Sequence, residues 1–285
     1  MASVPWRDAL CGSEENDHDP DGKHFQGRFG IDQRARNEAL CSIMDCPELP
    51  DFDPTVPAAW DAAFAGSPVL TFNQSWRPER QPGFSAGSVR IGWQRDAFCF
   101  DARLEDARLF TAASQRNDIL YLLGDTLEFF AGAAGSPAYV EYHYAPNGVI
   151  LQLLWPQSAR AITLPAAGGL QAFAIEENDS SHSVWPIPGG WRVCAKVRFG
   201  PLLNAAGTLE GTGIDLHFGR YDSADAVTPA VLSSTASLPR CCFHDRPNWQ
   251  RVVCRTRAMQ DPTADQADMQ EREKEARPLQ RGHGA

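Results

Sequence analysis

From Val89 the chain alternates: Val89, Ile91 and Trp93 are apolar, and Ser88, Arg90 and Gln94 are polar between and around them. Gln94-Arg95-Asp96 turns the chain, and Phe98, Phe100, Ala102 and Leu104 resume the alternation. Period two on both sides of a short polar turn predicts a β-hairpin with one buried face. Thr126–Phe130, Tyr139–Tyr144, Val149–Trp155, Leu170–Glu176, Trp191–Phe199, Ile214–Phe218 and Gln250–Cys254 read as further strands. Turn signals separate them, Gly132–Pro137 and Pro146-Asn147-Gly148 among them. Many short strands and no convincing amphipathic helix predict an all-β domain over residues 46–256, an antiparallel, jelly-roll-like β-sandwich.

Beyond this domain the patterning stops. Residues 1–45 are polar and Asp- and Gly-rich in their middle, and residues 257–285 carry mixed charge. Both are expected to be disordered tails. Met44 directly precedes the organised region, so residues 1–43 also read as a misassigned extension with Met44 as the true start. No apolar run approaches the roughly 20 residues of a membrane span. The first residues lack the apolar stretch of a secretory signal, so the chain as written reads as cytoplasmic.

Charge narrows the partners. The 285 residues carry 26 Lys and Arg against 36 Asp and Glu, a net charge of −10. Nucleic acid and anionic membrane are excluded as main partners, because both share that sign. The eight cysteines form no CxxC pair and no zinc spacing, so they read as thiols, with no metal assigned.

The candidate chemistry lies at period two on the strands. Glu128 stands between Leu127 and Phe129. Glu141 and His143 share a face with Tyr139, and Asp215 and His217 alternate with Ile214, Leu216 and Phe218. With the apolar set in the core, these polar groups line the other face of a sheet. Carboxylates, imidazoles and aromatic rings suit sugar recognition: carboxylates accept hydroxyl hydrogen bonds, and rings cover the apolar C–H face. An ordinary solvated sheet face is the alternative. The paired carboxyls Glu128 and Glu141 also raise glycoside hydrolysis.

Three stretches, SVRIGWQRDAFCFDARLED, NDILYLLGDTLEFF and YVEYHYAPNG, together resemble the family 9-like carbohydrate-binding modules of the DOMON-like superfamily. LHFGRYDS, LSST and FHDRPNWQRV extend the resemblance, which spans about 50–255. The family fold is a β-sandwich. The resemblance implies two aromatic rings clamping a terminal sugar, with carboxylate, amide and arginine groups on its hydroxyls. It puts Glu128 at a sugar-binding carboxylate and Tyr121 beside the first clamp position, which Leu122 occupies. It puts Phe243 near the second clamp, with His244 at the rim, Glu141 or His143 on a ligand-contact strand, and Arg220 in a ligand-contact segment. Asp125 belongs to the same G-D-x-x-E motif. Departure from tryptophan at both clamps weakens the expected affinity. Some members bind calcium, and Asp106 with Asn117 or Asp118 is where the resemblance would place it. Haem, bound elsewhere in the superfamily, is not expected: Met1, Met44, Met259 and Met269 all lie outside the predicted domain.

The sequence therefore predicts a non-catalytic module for a small saccharide, without a required cofactor. A ligand-free sandwich serving as scaffold for a protein partner is the alternative, and a glycoside hydrolase using Glu128 and Glu141 ranks third.

Overall fold

The computed structural model describes residues 43–157, 169–176, 180–198 and 200–256. The tails expected to be disordered fall, but for the last residues of the first, outside them. Among the described residues twelve strands form two sheets. The first sheet contains β1 (Met44–Pro47), β5 (Thr126–Ala133), β6 (Tyr139–Tyr144), β7 (Ile150–Trp155), β10 (Gly213–Asp222), β11 (Val231–Ser234) and β12 (Gln250–Arg255). Its order is β1-β12-β10-β5-β6-β7, with β11 also paired to β10. The second sheet, in the order β2-β3-β4-β9-β8, contains β2 (Val69–Thr71), β3 (Gly87–Gln94), β4 (Ala97–Glu105), β8 (Ser180–Ile187) and β9 (Gly190–Arg198). All pairings between these strands are antiparallel except β1 with β12. Among the described residues one short α-helix, α1 (Pro57–Ala63), packs Trp60 against Phe52 and Phe64.

The predicted hairpin is present: β3 and β4 pair with Trp93 opposite Phe98 and Gln94 opposite Ala97, closed by Arg95-Asp96. Arg95 takes a positive φ of 55° there, as tight two-residue hairpin turns require. The apolar alternants meet between the sheets. Ile91, Phe98, Phe100, Trp191 and Val193 of one sheet pack on Leu127, Phe129, Tyr142, Ile214 and Phe218 of the other. Phe129 sits 5.3 Å from both Phe98 and Phe100 and 5.1 Å from Phe218. Leu170–Glu176, expected as a strand, instead begins in a 3₁₀ turn, Gly169–Phe173. Its side chains need only one buried contact, Leu170, which a single turn supplies. Cys46, Cys99, Cys194, Cys241 and Cys254 are free thiols, whereas Cys242 is disulfide-bonded, contrary to the thiol expectation.

The first sheet is buried on both faces. Over its outer face lies a second apolar cluster that joins Phe130, Tyr139, Leu151, Leu153 and Trp155 to loop residues Leu120, Leu238, Phe243 and Trp249. Period two cannot reveal this cover. It arises because the outer alternants of β7 (Leu151, Leu153 and Trp155), with Phe130 and Tyr139 beside them, are themselves apolar or aromatic, and the long connections have apolar residues to lay over them.

Candidate functional site

Alternation and register place the polar residues. Leu127, Phe129, Leu216 and Phe218 point inward, so Glu128, His217 and Tyr221 point to the outer face, as do Glu141 and His143. Glu128 pairs directly with His143 on one side and with Gly219 on the other. Phe130 pairs with Glu141 and with His217. Four neighbouring strand positions thus bring two carboxyls and two imidazoles together.

They form a connected buried array. His143 Nε2 lies 2.6 Å from Glu141 Oε1 and 3.2 Å from Glu128 Oε1. Trp155 Nε1 donates to Glu141 Oε2 at 2.6 Å. His244 Nε2 stands 3.6 Å from the same oxygen, and its Nδ1 bonds the Tyr139 hydroxyl at 2.7 Å. His217 stacks on Phe130 at 4.7 Å and shares a hydrogen bond with Ser234 Oγ. Glu128 and Glu141 are each only 3% exposed and His143 is fully buried.

Burial and proximity split the two carboxyls. Burial pushes the Glu128 carboxyl up to about 8, with Glu141 adding to the rise and His143 opposing it. Glu141 meets the same burial penalty, but His244, His143 and the Trp155 N–H hold it below the usual range. Burial lowers the His143 value, yet the two carboxylates more than reverse that and raise it. At His217, burial and then His244 outweigh the opposing pull of Glu141 and press the value down to about 3, so it stays neutral.

Aromatic side chains stand around Glu128. Tyr121 is 5.9 Å from the His143 ring and 5.5 Å from Tyr221. Tyr221 meets Phe243 edge-on at 5.8 Å, and Phe243 meets Trp76 at 6.5 Å. Gly219 makes this possible: a Cβ there would come 2.6 Å from the Phe243 ring and 3.2 Å from Glu128 Oε2. Tyr121, Tyr221 and Trp76 are half-buried and Leu122 is 62% exposed, so this corner is the rim of the covered face.

Of the candidate residues, Glu128, Glu141, His143, Tyr121, Phe243 and His244 come together. Arg220 and Asp125 do not. Arg220 alternates with His217 and Tyr221 and projects from the inner side, 1% exposed. Its guanidinium donates to the carbonyls of Ser85, Ala86 and Glu105 and lies 3.1 Å from Asp222 and 3.5 Å from Asp106. Asp125 accepts the backbone N–H groups of Phe110 and Ser223, which pins two loops, and burial pushes its carboxyl up to about 7. Asp106 therefore clusters with Asp125 and Asp222, rather than with Asn117 or Asp118; Asp118 instead accepts the N–H groups of Ser114 and Gln115. Trp185 lies in β8 beneath Arg192. The sequence reading missed Tyr221 and Trp155 as site residues. Their period-two positions, beside His217 and opposite Tyr139, were the available signal.

No family model matches the chain, and no curated protein matches it. Solved structures do. A protein from Bacteroides uniformis, provisionally described as carbohydrate-binding, superposes with a TM-score of 0.57 at 15% identity, over 74% of this chain and 98% of the other. A family 9 carbohydrate-binding module from Caldicellulosiruptor kristjanssonii, solved with glucose, superposes with a TM-score of 0.50 at 13% identity, over 77% and 98%. The chain shares the sandwich fold of these proteins.

Proposed function

We propose that this protein is a non-catalytic saccharide-binding module. The observation that carries the reading is the buried carboxylate–imidazole array beneath the rim rings Tyr121, Tyr221, Phe243 and Trp76. Ionised or strongly polarised acceptors make the stronger hydrogen bonds to hydroxyls, and the rings offer apolar faces to sugar C–H groups. The sandwich shared with a glucose-bound family 9 module supports the same reading at the level of fold. The ligand-contacting set is Glu128, Tyr121, Phe243 and Tyr221, with His143, Glu141 and His244 holding Glu128 in place.

The carboxyl geometry argues against hydrolysis. Oxygens of Glu128 and Glu141 lie within 4.8 Å of each other around the same imidazole. Glycosidases place the scissile bond between their two carboxyl groups, whereas Glu128 and Glu141 are each 3% exposed and have His143 between them. A ligand-free scaffold is the second reading, favoured by the 3% exposure of Glu128 under Phe243.

A thermal-shift screen of the full chain against mono- and disaccharides decides between them. Ligand at 100 times its dissociation constant contributes about 2.7 kcal/mol, or about 5–10 °C for a domain of this size. Such a shift, lost in Glu128→Ala, is the expected result. No shift with any sugar at tens of mM, about the weakest affinity such a site would have, transfers the assignment to the scaffold.

A further inference from the structure

Three features of the rim narrow the chemistry of the ligand. The first is charge. Among the described residues no Arg or Lys side chain pairs with Glu128 or Glu141; their partners are His143, His244 and the Trp155 N–H. Glu128 contacts His143 through Oε1, and its Oε2 has no hydrogen-bond partner among the described residues. That oxygen lies toward Gly219 and the Phe243 ring.

The second is the wall. Tyr121, Tyr221, Phe243 and Trp76 follow one another at 5.5–6.5 Å between ring centroids, with the later pairs edge to face. The 87° and 63° angles of the later pairs turn the π faces of successive rings in different directions. Such faces attract cations, and the buried Glu128 carboxyl at their base becomes a direct charge partner once it gives up its proton.

The third is the missing donor. Arg220, the guanidinium expected among the sugar contacts, is spent on the other side of the sheet against three carbonyls. A neutral hydroxyl both donates and accepts, and the donors it would meet here are the neutral Tyr121 and Tyr221 hydroxyls rather than a guanidinium. An ammonium group only donates, so it matches an unpaired carboxylate oxygen with π faces around it.

We propose that the ligand is an amino sugar, its protonated amine on Glu128 Oε2 and its ring C–H groups against Tyr121, Tyr221 and Phe243. This rests on the saccharide reading above and adds the charged group that the site selects. The titratable groups facing Glu128 are His143 and Glu141 from β6, Tyr221 from β10, and Tyr121, Cys241 and His244 from the covering loops. Arg77 stands beyond Cys241, exposed and bonded to Gln81. Burial keeps the free Glu128 carboxyl protonated at neutral pH, so an ammonium ligand must displace that proton. Rising pH also removes positive charge from His143, whose two carboxyl neighbours hold its value up, in the same direction for a cationic ligand.

Calorimetric titration of the full chain with D-glucosamine, D-glucose, N-acetyl-D-glucosamine and choline tests this. Glucosamine is expected to bind at least about tenfold more tightly than glucose or the N-acetyl sugar, the scale of one charge-assisted hydrogen bond. Its affinity should rise by up to about tenfold per pH unit between about pH 5.5 and 7, while that of glucose stays flat. Glu128→Gln should abolish the preference; the comparison among ligands on the unaltered chain stands even if that variant folds poorly. Equal affinity for glucose and glucosamine would overturn the amine and leave the saccharide reading intact. Choline binding as tightly as glucosamine, with no neutral sugar bound, would overturn the sugar. No binding by any of the four would overturn both.

Discussion

Replacing Arg220 by methionine tests whether this arginine is a structural cation. The substitution keeps most of the apolar stem and deletes the guanidinium. Left behind are the Ser85, Ala86 and Glu105 carbonyls, which it now satisfies, and the carboxylates of Asp106 and Asp222 at 3.5 and 3.1 Å. Removing one partner of a buried charge pair costs about 3–5 kcal/mol. At about 2–4 °C per kcal/mol for a domain of this size, the melting temperature at pH 7 should fall by about 6–20 °C. The deficit should shrink on acidification. Burial raises the carboxyls of Asp125 and Asp222 in the folded state. A carboxyl raised on folding stabilises fully below its unfolded value near 4 and loses that contribution as pH rises through its folded value. The window for Asp125 therefore runs from about pH 4 to 7. Calorimetric melting of wild type and Arg220→Met at pH 4.5 and 7 reads both effects. Sugar affinity measured well below the melting temperature should stay within about threefold of wild type, because Arg220 projects from the opposite side of the sheet to Glu128. A pH 7 melting temperature within about 2 °C of wild type would refute the reasoning.

Further outcomes follow from the same geometry. Glu128→Gln should flatten the loss of stability that wild type shows from about pH 4 up to 8, since the raised Glu128 carboxyl stabilises below its unfolded value and not above its folded one; denaturant titrations across that range check it. His217 has the opposite sign: it is held near 3, so its contribution disappears as pH falls from about 6.5 toward 3, and His217→Phe should shift acid unfolding to lower pH in a circular dichroism titration. Phe129→Ala removes a ring packed on Phe98, Phe100 and Phe218 and should cost about 3–5 kcal/mol in chemical denaturation. Gly219→Ala pushes a methyl group against Phe243 and should cost about 1–3 kcal/mol and weaken sugar binding, seen by melting and by titration.

Much of the fold could be read from alternation. The β3–β4 hairpin, β5, β6, β7, β9 and β12 stand where period two predicts them, because strands packed between two sheets must send every second residue into one core. The short elements escaped. β2 has three residues and β11 four, too few to display a period. In β8, the sequence SSHSVWPI contains a proline and mostly small or polar residues, and it pairs only with β9 at the sheet edge, where proline is tolerated. The candidate site divides the same way. Glu128, Glu141 and His143 share a face by parity alone. Tyr221 and Trp155 join them through pairing partners distant in the chain.

The local pattern of the chain thus determined which residues alternate, which face of each strand is apolar, and that a sandwich is the architecture able to bury those faces. Tertiary structure alone decided that the outer face is roofed by Phe243 and Trp249, that Arg220 serves Asp106 and Asp222 rather than the Glu128 face, and that Glu128 and Glu141 share one imidazole. The reason is physical. Side-chain parity is a property of consecutive residues, whereas burial, charge pairing and the resulting proton affinities depend on segments that meet only when the chain folds, such as Glu128 with Gly219 and Glu141 with His244.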